Sequence, residues 1–532
     1  MRTKFWKAAI GATALAAFAT GAVADSPKQG GTLNFVVGSK IPSYDAHVET
    51  TFGMIHPIAP FYSLLIRVNP DDPSSNDFQC DVCESFEASA DGLTYTYKIR
   101  QGITFHNGEP LTAHDVHATY EKIVNPPEGV ASSRKAFYQM VGSHRVVDDF
   151  TYEMTLAYPS GAYLPAMASP FNFIYSDEDL TANGLNWHKT NINGTGPFKF
   201  VEHQPGAFVS GVKYENYHHD GRPYLDGFKA ISAPKLSARV QAIEGNRAGI
   251  EFRGFPPKQR DALVSALGED IVVQESDWNC VLLVTPNHKS EPFDDPRVRK
   301  ALTLAIDRWG GSKYLSQIAI VKTVGGIVFP NHPLAASAEE LEAMSGYGRD
   351  MDANRAEARR LLEEAGIDLS KTYNFNNRGV DQPYKVVGTW LIDQWSKVGL
   401  KFEQQVNPSP VFYDILRKQY TFDVSIDFNC QSVINPIADV SKFVPSAGNN
   451  YTQNEDPQLE ALYDTLARAA TFEEQYAAMR AFEQAVLSDK ATQAITLWWY
   501  KINPHRSYVK GWKIAPSHYL GQQLDQIWLD EG

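Results

Sequence analysis

Hydrophobic and polar positions along this chain follow two periods that replace one another repeatedly. From Gly31 the run Thr32-Leu33-Asn34-Phe35-Val36-Val37 predicts a first strand, and Tyr95 to Ile99 alternates as another, with Gly92 as the turn before it. Leu111-Thr112-Ala113-His114-Asp115 predicts a helix start: Thr112 can cap, and Asp115 sits in the first turn, where the helix dipole favours an acid. Val116, Tyr120, Ile123 and Val124 then share one helical face. Asp295 before Pro296 predicts a second strong helix start, and Val298, Leu302, Ala305 and Ile306 recur behind it at helical spacing. Helical patterns return over 354–365, 389–398 and the long 457–487 region, and strand patterns over 401–406, 422–426 and 494–500. Strands alternating with helices predict α/β units with largely parallel sheets. There is no short repeat and no long Pro/Gly/Ser linker, so the units must be joined by ordinary strands.

The N-terminus changes the picture first. Arg2, Lys4 and Lys7 precede an apolar run from Ala8 to about Ala19 and then Ala22-Val23-Ala24, the pattern of a signal peptide (1–24) cleaved after Ala24. The run falls short of the roughly 20 apolar residues that span a bilayer. Cleavage would remove three positive charges and no negative ones, leaving a mature chain more acidic than the full-length value of -13. Such a balance argues against a nucleic-acid partner, because the phosphate backbone selects basic surfaces. With 43% hydrophobic residues and 12% aromatic ones, the chain has ample material for several cores.

Four cysteines, Cys80, Cys83, Cys280 and Cys430, are a sparse even set, and in an oxidising compartment they predict one or two disulfides. Cys80 and Cys83 follow the loop Pro70-Asp71-Asp72-Pro73-Ser74-Ser75-Asn76 and not the strand that precedes a redox motif, so a local loop disulfide is expected there. No G-x-S-x-G, H-E-x-x-H or G-x-x-x-x-G-K-[ST] occurs, and no enzyme or cofactor is predicted. His106, His114 and His117 invite a metal reading, but the last two stand at i and i+3 on a helix and are expected on a solvated surface.

Five motifs, in order, resemble the peptide/nickel class of ABC-importer solute-binding proteins, the family 5 oligopeptide- and dipeptide-binding proteins. They are Gly30-Gly31-Thr32-Leu33, then Glu84-Ser85-Phe86-Glu87 leading to Asp91-Gly92-Leu93-Thr94-Tyr95, then Gly102-Ile103-Thr104-Phe105-His106-Asn107-Gly108. Asn193-Gly194-Thr195-Gly196-Pro197-Phe198 and Pro292-Phe293-Asp294-Asp295-Pro296-Arg297-Val298-Arg299-Lys300 complete the set. The resemblance implies an α/β, two-lobed clamp of the periplasmic-binding-protein type II kind, enlarged by an inserted domain. Lobe I would comprise 25–52, 192–279 and 500–532, the inserted domain 53–191, and lobe II 280–499, with hinge crossings near Asn279 and Tyr500. It also implies a disulfide between Cys280 and Cys430, a periplasmic monomer, a small-molecule ligand and the importer's membrane permease as partner.

For the site, the resemblance points to the residues around Cys430. Peptide-binding relatives carry an Asp two positions after the matching Cys, which anchors the peptide ammonium; here that position holds Ser432. Phe428-Asn429 also replaces the family's Gly-Trp. A buried ammonium without an anion is expensive, so free-amine peptides lose their handle unless Asp427 or Asp439 substitutes. Arg417 aligns with a cleft arginine used against ligand carboxylates, and Arg378 lies in a polar loop near the family's cleft. The expectation is a small polar, anionic or peptide-like ligand bound by Arg417 and capped by Asn429, Gln431, Ser432 and Asn435. Arg378, Ser39, Tyr44, Trp278 and Tyr500 are further candidates. A metal- or haem-chelate carrier of the same fold, and a secreted peptidase, are the alternatives.

Overall fold

The structure, a computed structural model, describes residues 26–72, 77–430, 435–469 and 471–531. The expected signal peptide lies outside these residues, and so do Gln431 and Ser432. No helix among the described residues is long and apolar enough to cross a membrane.

Three main sheets organise the chain. The first has four strands in the order Thr32–Val37, Gly227–Ser232, Phe208–Lys213, Phe198–Gln204. Its alternation packs Phe35 against Phe228 and Phe252. The second is an antiparallel sheet ordered Cys83–Ala88, Thr94–Ile99, Thr151–Leu156, Val141–Asp148. The helix Ala113–Val124 packs on it, opened by a capping box in which Thr112 and Asp115 satisfy each other's backbone, and it buries Val116, Tyr120 and Ile123.

The third sheet has six strands, ordered Val321–Thr323, Ala494–Arg506, Ile271–Pro286, Val424–Cys430, Thr372–Arg378, Lys401–Asn407. Its two longest strands pair antiparallel from Ile271↔Arg506 to Asp277↔Tyr500 and again from Val281↔Trp498 to Val284↔Ala494. The register shifts between Asp277 and Val281. Beyond Cys280 the same strand also pairs with Val424–Cys430. The chain therefore enters the 280–499 stretch on one strand and leaves it on that strand's neighbour.

That topology corrects the expectation of largely parallel sheets. Among the strands of the described residues, only Thr32–Val37 with Gly227–Ser232, and Thr372–Arg378 with its two neighbours, run parallel. A chain that crosses into a region and returns alongside itself must pair antiparallel there. The predicted 457–487 region divides into Pro457–Arg468 and Phe472–Gln484, because Thr471 starts a new capping box.

The motifs carry packing. A Cβ on Gly194 would stand 2.2 Å from the Phe61 carbonyl oxygen, and one on Gly196 2.3 Å from the Tyr62 nitrogen, so neither position admits a side chain. The two glycine carbonyls accept from the backbone and ring of His106, at 2.9 and 3.0 Å, which locks one motif onto another. Arg299 donates to the carbonyls of Phe293, Asp294, Lys490 and Ala491.

Both cysteine pairs are disulfide-bonded: Cys80 to Cys83, and Cys280 to Cys430, which lie opposite one another on paired strands. Buried aromatic contacts continue from the first sheet to the third: Phe252 meets His56, His56 meets His518, and Trp278 meets both His518 and Trp499. The two sides of the molecule are closed on each other, with a polar seam and a cavity between them.

Candidate functional site

The strand Val424–Cys430 alternates so that Asp427 and Asn429 share one face, and both are buried. Downstream, Asn435 caps the short helix Pro436–Val440 by accepting from Ala438, which brings Asp439 beside that face. Asn429 donates to the Asp439 carbonyl at 3.2 Å. Facing them are groups from outside the 280–499 stretch: Thr50, Ser133, Arg134, Phe137, Phe171 and Tyr519. Together they line a small cavity of about 40 Å³.

The charges in this cavity are arranged unevenly. Asp427 and Lys442 form a buried ion pair at 2.7 Å, and Lys442 also lies over the Tyr451 ring. Those two charges cancel. Arg134 is 97% buried by contrast, given its relative exposure of 3%, and it donates to the Glu49 carbonyl at 2.7 Å and rests on the Phe171 ring. Among the described residues it meets no carboxylate at ion-pair distance. Burial pulls its pKa down to about 10. Asp439 has a buried Oδ2 with no hydrogen-bond partner. Burial pushes its carboxyl well above the ordinary value, opposed by one backbone hydrogen bond at Asn435. One cavity thus holds a cation and an acid, both short of a counter-charge and too far apart to pair.

Beside the cavity runs a seam in which cations from the 280–499 stretch reach the other side. Arg378 is fully buried and donates to Ser409 (2.9 Å), Tyr384 (3.2 Å), Ser39 (3.1 Å) and Thr51 (2.7 Å). The rings of Phe52, Tyr384 and Tyr413 stand within 5.1–5.3 Å of its guanidinium. Arg417 donates to Glu49 at 3.1 Å, Thr50 at 3.3 Å and Tyr451 at 3.2 Å, over the Tyr413 ring.

Of the sequence candidates among the described residues, the structure brings Asn429 into the cavity lining with Cys430 beside it, together with Asp427 and Asp439, the two acids weighed as substitutes. Arg417 and Arg378 lie in the seam, their donors taken by protein groups, and Ser39 is Arg378's acceptor. Asn435 works as a helix cap. Tyr44 contacts His203 on the outer side of the first sheet. Trp278 is core, donating to His518 at 2.9 Å, and Tyr500 points outward to Glu275 at 3.1 Å. Arg134, Phe171 and Tyr519 were missed because no local pattern marks a loop or tail residue that will close over a distant strand.

Comparison with known proteins agrees with the sequence resemblance. The family model described as "Bacterial extracellular solute-binding proteins, family 5 Middle" matches residues 77–451. The chain is 28% identical over 403 residues to the glutathione-binding protein GsiB of Salmonella paratyphi A, covering 75% of this chain and 73% of that one. It is also 28% identical over 310 residues to di/tripeptide-binding protein 2 of Pseudomonas aeruginosa, covering 54% and 55%. Among solved structures, AgaA of A. tumefaciens R10 in complex with agropinic acid superposes with a TM-score of 0.82 at 20% identity, covering 94% of this chain and 99% of that one. Haemophilus influenzae OppA with the peptide RPPGFSPFR gives 0.83 at 18%, covering 94% and 100%. These likenesses fix the fold as that of two-lobed α/β binding proteins.

Proposed function

The chain belongs to the bacterial extracellular solute-binding proteins of family 5, the binding components of ABC importers, and from that premise we propose that its ligand is a small zwitterion of peptide or amino-acid-derivative type. One observation carries the reading: the Arg134 guanidinium and the Asp439 carboxyl line one cavity, both buried, and among the described residues neither has a counter-charge. A carboxylate on the ligand would meet Arg134, whose planar fork suits two parallel hydrogen bonds. An ammonium would meet Asp439, and the Phe137, Phe171 and Tyr519 rings would flank the body between.

This assigns to Arg134 the role that the family resemblance implied for Arg417, and to Asp439 the role left vacant by Ser432. Names of relatives fit the same chemistry, since glutathione and di- and tripeptides are zwitterions. The chelate-carrier reading finds no support in the lining, which among the described residues has no histidine and a cysteine committed to a disulfide.

Mechanically, we take 25–52, 192–279 and 500–532 as lobe I, 53–191 as its inserted domain and 280–499 as lobe II. The paired strands near Asn279 and Tyr500 serve as the pivot, and the bulge between Asp277 and Val281 supports this. The protein would work as an exported monomer that hands its ligand to the permease after cleavage of the 1–24 segment.

Isothermal titration of glutathione, di- and tripeptides and their N-acetylated forms tests the ligand class. A binding zwitterion should lose at least a hundredfold in affinity on N-acetylation. Equal affinity for the acetylated form would end the proposal.

A further inference from the structure

A second group of polar side chains lies far from the cavity, between the helix Ala113–Val124 and the strand Val141–Asp148. His117 and Glu121 stand one turn apart on the helix and so share a face. His144 comes from the strand, at the edge of its sheet. One donor atom from each lies within 4.8 Å of the others.

His144 is the informative member. Its side chain is only 3% exposed, yet neither ring nitrogen makes a hydrogen bond among the described residues. Nε2 stands 3.0 Å from Glu121 Oε2, but outside the direction in which a ring N–H could donate to it. The His117 and His144 rings are 4.7 Å apart, centre to centre. A buried imidazole normally satisfies both nitrogens, so this arrangement needs another explanation.

A shared cation supplies it. Two ligands of one zinc ion, each about 2.0–2.2 Å from the metal, stand roughly 3.3 Å apart, with their lone pairs aimed at the metal and not at each other. Asn125 donates to Glu121 Oε2 at 3.0 Å, the kind of outer contact that orients a ligating carboxylate. His117 and Glu121 also line an open groove of about 460 Å³ that includes Asp177, which leaves room for water at a fourth position.

The other described clusters are accounted for without metal. Both Nε2 atoms of His218 and His219 donate to Asp81 Oδ1, at 3.1 and 2.9 Å. Cys280 and Cys430, near His518, are bonded to each other.

We infer that His117, Glu121 and His144 form a binding site for one divalent first-row transition cation of the zinc class, pinning the helix to the edge strand. Two imidazoles and one carboxylate suit that class and not magnesium or calcium, which take oxygen ligands.

The test uses untagged full-length protein, stripped with EDTA and titrated with Zn²⁺, with Co²⁺ as a spectroscopic substitute. Wild type should bind one equivalent at micromolar concentration, show visible Co²⁺ d–d bands and melt at higher temperature with Zn²⁺. His117→Ala and Glu121→Gln, each melting like wild type in EDTA, should weaken binding at least a hundredfold, while His219→Ala should leave it unchanged. The inference is overturned if wild type retains no stoichiometric Zn²⁺, if either ligand variant binds like wild type, or if His219→Ala removes the binding.

Discussion

The seam and the cavity lie side by side along one gap, yet they treat charge in opposite ways. In the seam, Arg378 and Arg417 reach across to Ser39, Thr51, Glu49 and Thr50, so the protein answers its own cations. In the cavity, Arg134 is held by Glu49 on its own side of the gap, and Asp439 by Asn435 on its own side. Among the described residues, neither of these two groups is answered from across the gap. The seam is therefore equipped to close by itself, whereas the cavity stays electrostatically incomplete until something bridges it. Specificity belongs to the incomplete part.

The comparison breaks most sharply at Asp439. Asp439→Asn should cost about 4 kcal/mol of ligand binding, close to a thousandfold, because it strands the ligand's ammonium in a buried site. The same variant should raise the melting temperature of the ligand-free protein, since it removes a buried acid that lacks a counter-charge. Titration calorimetry beside a thermal melt reads both, and unchanged affinity would place the ammonium elsewhere. The next effect is on the frame. Replacing Cys280 and Cys430 by Ser opens a link between positions 150 residues apart and should cost about 3 kcal/mol of stability in urea unfolding.

Arg378→Ala probes the seam. It leaves buried hydroxyls without their shared donor, so we expect a loss of about 2 kcal/mol and, in small-angle scattering, a larger radius of gyration without ligand. Ligand contacts should survive. A variant that stays as compact as wild type would show that the seam does not hold the closed form.

Acid gives the smallest and most graded test. Ligand-free Asp439 keeps its proton to higher pH than in the unfolded chain, so binding an ammonium must expel it. Affinity should fall as pH drops below that raised pKa, by up to tenfold per unit, or about 1.4 kcal/mol. Asp439→Asn should abolish the slope. Fold stability runs the same way at His56, whose pKa burial lowers to about 3. The unfolded chain takes up that proton first, so stability declines as pH falls below the ordinary histidine value of 6.5 and continues to decline towards about 3.

Much of the frame was legible in the residues, because its signals are local. Thr112 with Asp115, Asp295 before Pro296, and the alternation from Thr32 to Val37 each mark an element from within a few positions. Strand direction was not, since it depends on which elements become neighbours. The Ser432 departure directed attention to the strand that lines the cavity and named Asp439 as a substitute acid. Arg417 sits in the seam because its partner, Glu49, is 368 residues away, and nothing near either residue announces the other. Arg134 was invisible for the same reason.

The crossing strands carry one more consequence. Trp278 and Trp499 meet edge to face at 4.9 Å beside the register shift, and the Arg253 guanidinium lies 5.7 and 4.9 Å from their rings. A positive charge near an indole alters the colour and yield of its emission. Bending at this point, as the proposed pivot requires, would change those distances and give the unlabelled molecule an optical gauge of its own opening.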